Sequence, residues 1–474
     1  MIRLPCERPL RCLAGGVLLC AGLVALHLSA EPAGAETLRD ALVTAYTANP
    51  ELDAERARQR ATDESVPQAL AGARPTVTAT GEIGSRKTWT KSLSSMPPPA
   101  ITRSTSTTDP GAISLNFSQP LFRGFRTFTG TASAEANVRA GRYALGNVEQ
   151  NVLLNAVTAY VDAVRDQALL RLTQGNLDVL REELESTEAR FEVGELTKTD
   201  VAQAEARASA AASDVSQARA NLARSRATYE QVIGRPPGTL SAPTSLNGML
   251  PRSLTEAYTV GESEHPALLS ARNTIEASDH DVDNIKGELL PTLTLEGDYT
   301  RSWEPSATVL DSESSSIMGR LVVPLYQAGS VSSRVRQARQ VATQRRLESE
   351  NIRTQVRAAI ATAWDGLIAA RAQIVADRQQ IRAATVALEG VRQEQRVGQR
   401  TTLDVLDAQQ ELLNAQVDLA TSTRDEVVAA FTLLAAVGRL NARQLELPVA
   451  YYDDTAHYGK VHNKWWGLSV ESPF

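Results

Sequence analysis

Two short stretches decide the reading: FEVGELTKTDV, from Phe191 to Val201, and QRVGQRTTLDVLDAQ, from Gln395 to Gln409. Each carries a Val-Gly pair (Val193-Gly194, Val397-Gly398) followed by Asp-Val (Asp200-Val201, Asp404-Val405). Both pairs recur at an offset of 204. So do Pro120-Leu121-Phe122, as Pro324-Leu325-Tyr326, and Ile233-Gly234, as Val437-Gly438. Nearer the start, Asn49-Pro50 recurs as His265-Pro266 and Arg74-Pro75 as Leu290-Pro291, both at an offset of 216. The chain is therefore one pattern written twice, and the difference between the two offsets falls in the polar stretch after Gly84. Insertions collect in surface loops, so this stretch is expected to be a loop in both halves.

Within each half the pattern predicts short helix, strand, strand, long helix, short helix. Phe128 to Phe191 and Ser330 to Arg396 run without a proline, and Val157, Val161, Val164, Ala168 and Leu172 recur at three- and four-residue steps. Asp200 to Ile233 and Asp404 to Val437 close the halves. Thr37 to Leu70 and Leu254 to Lys286 open them. At 1.5 Å per residue, the long helices reach roughly 100 Å and the closing ones about 50 Å, so two short helices end to end match one long one. The alanine run from Ala202 to Ala212 fits either close approach on several faces or high helix propensity alone.

Between Pro75 and Pro120, and between Pro291 and Pro324, the period changes to two. Ile113, Leu115 and Phe117 alternate with Ser114, Asn116 and Ser118; Leu293, Leu295, Gly297 and Tyr299 alternate with Thr292, Thr294, Glu296 and Asp298. Val77, Ala79 and Ile83 form a weaker run, as do Ile317, Leu321 and Val323. Alternation alone fits two hairpins on a soluble core as well as strands crossing a bilayer. A sheet in lipid must close, and four strands are too few, so copies of the chain would have to pool them.

The compartment supports pooling. Met1 to Ala35 reads as a signal peptide, with Arg3, Arg8 and Arg11, an apolar core from Leu13 to Leu28, and Ala33-Gly34-Ala35 before Glu36. All three cysteines (Cys6, Cys12, Cys20) lie within it, leaving the rest of the chain to be held by packing alone. The expected organisation is a signal at 1–35, repeats at 36–245 and 246–446, and a tail at 447–474. With 22% charged residues and a net charge of −6, the 474-residue chain lacks the basic surface that binds nucleic acid.

On these residues the sequence resembles the TolC-like outer membrane efflux protein family over Thr37 to about Glu446. The carriers are the duplication, the Asn-Pro and His-Pro openings, the Pro-Leu-aromatic strand exits and the two Val-Gly turns. The tail, Tyr451-Tyr452-Asp453-Asp454 through Lys464-Trp465-Trp466-Gly467, is similar to the subset associated with type I secretion. The resemblance implies a mainly α chain with membrane β-structure. Three copies would form a homotrimer with a twelve-stranded outer-membrane barrel, four strands per chain, continuing into a periplasmic helical barrel. It implies an exit duct for proteins or small toxic compounds in the outer membrane of a Gram-negative bacterium. The partners would be a periplasmic adaptor and an inner-membrane ABC or RND-type transporter.

By position, the resemblance places adaptor docking at Val193, Gly194, Val397 and Gly398, and an acidic pore gate at Asp404 and Asp407. It ties the gate through Arg400, Thr199, Asp200 and Gln395. Gln395 stands where the best-known relatives carry tyrosine; an amide can still hydrogen-bond to Asp200, but without the aromatic ring. Asp404 and Asp407, three apart, share a helix face and in a trimer would ring one axis. Equally, these acids and Asp200 fit a helix N-terminus, where negative charge is favourable.

No catalytic motif, cofactor fingerprint or metal-ligand spacing is present, so no enzyme activity, cofactor or metal is expected. His457 and His462 read as a solvated tail. Two rivals to the duct remain: a periplasmic coiled-coil adaptor or scaffold without a pore, and a secreted enzyme, which would need a convergent polar site.

Overall fold

A computed structural model describes residues 35–93, 98–243 and 248–469. All but the last residue of the expected signal, the boundary between the repeats and the final five residues lie outside the described residues. Helices α1 (Leu38–Ala48), α2 (Pro50–Asp63) and α3 (Ser65–Ala71) lead into strands β1 (Thr76–Ile83), β2 (Arg86–Leu93), β3 (Ile101–Thr108) and β4 (Gly111–Arg123). The long helix α4 (Arg126–Glu192) and the shorter α5 (Lys198–Ile233) follow. The order then repeats as α6 (Leu254–Glu264), α7 (Pro266–Lys286), β5 (Thr292–Ser306), β6 (Val309–Val322), α8 (Ser330–Arg396) and α9 (Thr402–Ala436). A short α10 (Ala456–Val461) lies in the tail.

Local chemistry sets the helix limits. Asn49 Oδ1 accepts from the backbone N–H of Glu51 and Leu52 while Pro50 occupies the first helical position, so the single opening helix expected over 37–70 is instead broken, the Asn-Pro pair ending α1 and starting α2. His265 does the same for α7: its Nδ1 accepts from Ala267 N at 3.2 Å, and Pro266 follows. Burial pushes the His265 pKa down, which keeps the ring neutral and able to accept.

Helices α4 and α8, 67 residues each, are the uprights. Beside α4, α5 covers one half and α2 with α7 the other: Gln59 of α2 donates to Val138 O and Ser270 of α7 to Ala140 O. Beside α8, α9 covers one half and α6 with α7 the other, with Ser422 bonded to the buried Asp377 and Arg357 paired with Glu262. The short elements abut end to end. Asn49 Nδ2 donates to Val232 O at the end of α5. Gly438, at φ +86°, brings the end of α9 so close to His265 that a Cβ there would lie 2.7 Å from its Cα. The largest core forms where these ends meet, around Leu42, Tyr46, Leu153, Val157, Tyr160 and Phe431.

The alanine run resolves into one buried seam. Ala204, Ala208, Ala211, Val215, Ala218 and Leu222 are buried at alternating four- and three-residue steps, while Ala202, Ala206 and Ala210 are not. Within one chain, close approach therefore uses a single face of α5.

The stretch after Gly84, expected as a loop, is instead largely strand. β2 and β3 pair antiparallel and extend the first hairpin; in the second half β5 and β6 run on to a short turn at Ala307 and Thr308. Runs of threonine and serine suit a pleated ribbon whose two faces are both solvated, and such a ribbon carries no apolar alternation to announce it. The main sheet has the order β1-β4-β5-β6, all antiparallel. Its register gathers Val77, Ala79, Ile113, Leu115, Phe117, Leu293, Leu295, Tyr299, Ile317 and Leu321 on one face. The other face carries Thr78, Thr80, Ser114, Asn116, Glu296, Asp298 and Arg320, with Thr80 bonded to Ser114 and Arg320 paired with Glu296 at 2.8 Å.

The tail, too, differs from expectation. α10 docks on α2, and His457 Nδ1 lies 3.3 Å from Asp63 Oδ2, a carboxylate that is 1% exposed. A buried acid needs a partner, and His457 supplies one.

Candidate functional site at the helical tip

The end of the molecule far from the sheet is built by the two Val-Gly turns. At the first, Gly194 takes φ +83°, its N–H donates to Phe191 O, and Glu195 N donates to Arg190 O. At the second, Gly398 takes φ +80°, and the bonds run from Gly398 N to Gln395 O and from Gln399 N to Glu394 O. This paired bonding satisfies the last carbonyls of α4 and α8 and needs a left-handed residue, hence glycine. Val193 and Val397 are each at least 70% exposed at the apex. Two matching knuckles with bare valines result.

Each turn then starts a helix by the same device. Thr197 and Asp200 form a capping box for α5; Thr401 and Asp404 form one for α9. Asp404 accepts from Thr401 N and Oγ1, both at 2.8 Å. These bonds, with Arg400 adding a smaller effect, hold its carboxyl below the usual range. Asp200 is held low by the same bonds from Thr197. Arg400 pairs with Glu394 at 2.9 Å and lies 3.8 Å from Asp404. Gln395 Nε2 reaches Thr402 Oγ1 at 3.4 Å within the helical hairpin α8–α9, while in the matching hairpin α4–α5 the Asp200 carboxylate is bonded to Thr197. Thr199 is exposed on the first turn of α5.

Asp407 is placed differently. One turn along α9, its Oδ1 lies 2.6 Å from Nη2 of Arg207 on α5, joining the two hairpins of one chain. Beside it Leu406 is buried against Leu177, Leu180, Ala208 and Ala211. Asn176 and Gln409 meet at 3.4 Å, and Arg392 donates to Gln409 at 3.1 Å. Arg207 and this amide relay were not singled out from sequence. The available signal was helical spacing: Arg207 lies between Ala204 and Ala208, at the edge of the buried seam.

The tip therefore offers exposed apolar knuckles, acids held in the charged form, and an ion pair bridging the hairpins. These groups do not make a catalytic constellation, and among the described residues no cluster of ligating side chains could hold a metal ion. No described helix is long and apolar enough to cross a membrane.

Comparison with known proteins agrees with this architecture. The outer membrane efflux protein BepC of Brucella suis is 39% identical over 457 residues, 96% of each chain. TolC of Escherichia coli, an outer membrane protein, is 27% identical over 313 residues, 63% of each. The Campylobacter jejuni CmeC outer membrane channel shares the fold, with a TM-score of 0.75 at 16% identity over 90% of this chain and 89% of that one. The outer membrane efflux protein profile matches residues 41–235 and 261–439, which contain both knuckles and the whole of the α4–α5 and α8–α9 hairpins. The matched residues span both copies of the duplicated unit, and the chain belongs to the outer membrane efflux protein family.

Proposed function

We propose that three copies assemble into a duct that carries secreted proteins or small toxic compounds out of the cell. The carrying observation is the sheet: up to the level of Tyr299 one face is apolar and the other polar, with Arg301, Asp311 and Glu313 following on the apolar side beyond it, and both edges, β1 and β6, are unpaired among the described residues of the chain. In hydrocarbon an unpaired edge is costly, and closure removes it. Pairing β6 of one copy with β1 of the next, three times over, gives a twelve-stranded barrel with its apolar face to lipid and its polar face to water. The two repeats, 36–245 and 246–446, then line the periplasmic tube as equivalent halves.

The knuckles at Val193-Gly194 and Val397-Gly398 are the docking points for a periplasmic adaptor, which couples the duct to an inner-membrane ABC or RND-type pump. Exposed valines on rigid turns suit an apolar contact that forms without reordering the backbone. The resting gate lies just inside them. Asp407, held by Arg207, and Asp404, held by its cap, would repeat three times around the axis and attract cations. Arg400, Thr199, Asp200 and Gln395, whose side-chain bonds in the single chain stay within or beside their own turns, would tie the gate where neighbouring copies meet. A pore-free scaffold has no use for a sheet with an apolar face and open edges.

Assembly is tested by extracting the full chain in detergent and measuring its mass. A heat-labile trimer is expected; a monomer that needs no detergent overturns the reading. Gating is tested by single-channel conductance of the Asp404→Ala/Asp407→Ala double variant. Unchanged conductance together with unchanged block by multivalent cations overturns the acidic gate.

A further inference from the structure

The tail carries a sequence motif that the duct does not use. It runs from the core toward the sheet and is fastened along its length. Tyr452 N donates to Tyr46 Oη at 3.0 Å. His457 meets Asp63, Tyr458 packs beside Val66, Ala134 and Val138, and Arg142 covers the Tyr458 ring. Beyond α10, Arg74 Nη1 donates to Lys464 O at 2.6 Å, and its guanidinium lies 4.9 Å from the Trp465 ring centre.

Arg74 fixes the height at which this happens. It stands just before Thr76, where β1 begins, and Gln119 and Arg123 of β4 bond to the carbonyls of Ala73 and Gly72 beside it. The Lys464-Trp465-Trp466 segment is thus held at the rim where helices become strands. There the tail stops packing: Trp465 is 67% exposed, Trp466 90% and Leu468 fully. Leu121, Phe125, Leu325 and Tyr326 are exposed at the same junction. Two indoles and a leucine flanked by Arg74 and Lys464 suit the boundary between lipid headgroups and acyl chains. Indoles favour that depth, and the cations meet phosphates.

We infer that the tail is a second membrane contact: Trp465, Trp466 and Leu468 enter the periplasm-facing leaflet of the outer membrane beside the barrel. The inference rests on the lipid-facing reading of the sheet. The tail's anchorage on α2 and α4 delivers the segment to the rim already ordered, so binding lipid costs little further ordering. The contact would fix the height of the helical tube against the bilayer.

The test uses the full chain in lipid bilayers. With no cysteine outside the expected signal, a single Leu468→Cys carries a fluorescent label, and Ile317→Cys and Val386→Cys serve as sheet and tube controls. Quenching is read against lipids spin-labelled near the headgroup or near the chain end, and against aqueous iodide. The label at 468 is expected to be quenched more by the shallow lipid label than by the deep one and shielded from iodide, with 317 quenched by lipid and 386 only by iodide. If 317 responds to lipid but 468 responds only to iodide, the tail is in water and the inference is overturned while the barrel stands. If 468 is shielded from both quenchers, a protein surface covers it, which also overturns the inference. If 317 itself ignores lipid, the barrel reading fails and the inference falls with it.

Discussion

Arg207 and Asp407 meet across the α4–α5 and α8–α9 hairpins of one chain, Nη2 to Oδ1 at 2.6 Å, about two helical turns from the Val-Gly turns. Both side chains remain half exposed, so the pair adds little to global stability, of order 1 kcal/mol or less. Its consequence is positional. If it holds α9 against α5 at the gate, Arg207→Ala should raise single-channel conductance while moving the thermal midpoint only slightly. A conductance equal to that of the parent protein would show that the pair has no part in closure.

Asp404 serves its own helix first. Its capping bonds keep the carboxyl ionised below the usual carboxylate range. The contribution is therefore present above the unfolded value and is lost only as pH falls through the lowered folded one. At about pH 5 to 7 the cap itself should therefore stay intact in the single chain. Replacing the cap hydroxyl, Thr401→Ala, should cost about 1 kcal/mol locally. Hydrogen exchange in the first turn of α9 should speed up, and Thr401→Ser should restore protection; equal exchange in both variants would rule the cap out.

Glu149 carries the opposite sign. Burial raises its pKa, against the opposing effect of the bond it accepts from Ala442 N at 2.7 Å. The folded chain then binds the proton more tightly than the unfolded one. Stability from this group is full below the unfolded value, about 4.3, and is lost as pH rises through the raised folded value. Glu149→Gln keeps the acceptor and removes the titration. Its thermal midpoint should vary less with pH above about 4 than the parent's; parallel curves would exclude Glu149 as the source.

Gly234 and Gly438 both take left-handed backbone at the ends of short helices, at φ +92° and +86°. A methyl on Gly234 meets only ordinary contact with Ala48, whereas one on Gly438 would collide with the backbone of His265. Gly234→Ala should cost roughly 1–2 kcal/mol from strain alone. Gly438→Ala should cost clearly more and lower the yield of assembled protein. Equal effects on thermal stability would mean that the α9–α7 junction can open without penalty.

On the sheet, Ile317→Lys puts a charge on the apolar face, a change costing about 2–4 kcal/mol near the middle of a bilayer. The same charge at Thr78 faces the polar side and should be tolerated. The two variants are compared by the fraction of heat-labile oligomer recovered from outer membranes. If Thr78→Lys proves the more damaging, the assignment of faces is reversed.

Much of this architecture was legible because its signals are local. Asn49-Pro50 and His265-Pro266 cap helices through their immediate neighbours, and the Val-Gly turns close them just as locally. The shared offset of 204 exposed the duplication before any contact was known. Alternation marked β4, β5 and β6 because one face is apolar. It missed β2 and β3, where Trp89, Leu93 and Ile101 share one face with Lys87, Lys91 and Arg103 and the other is polar, so no clear apolar period separates the ribbon from a loop.

What the linear sequence determined by itself is therefore where the long helices and the turns between them lie, which strand faces are apolar, and that one unit is used twice. Those properties depend on neighbours a few bonds away and on side-chain periodicity. Only the tertiary structure decided that Asp407 meets Arg207, that a single face of α5 forms its seam, and that His457 covers the buried Asp63. These partners stand far apart along the chain, and burial and charge pairing select them only once the long helices bring them within bonding distance.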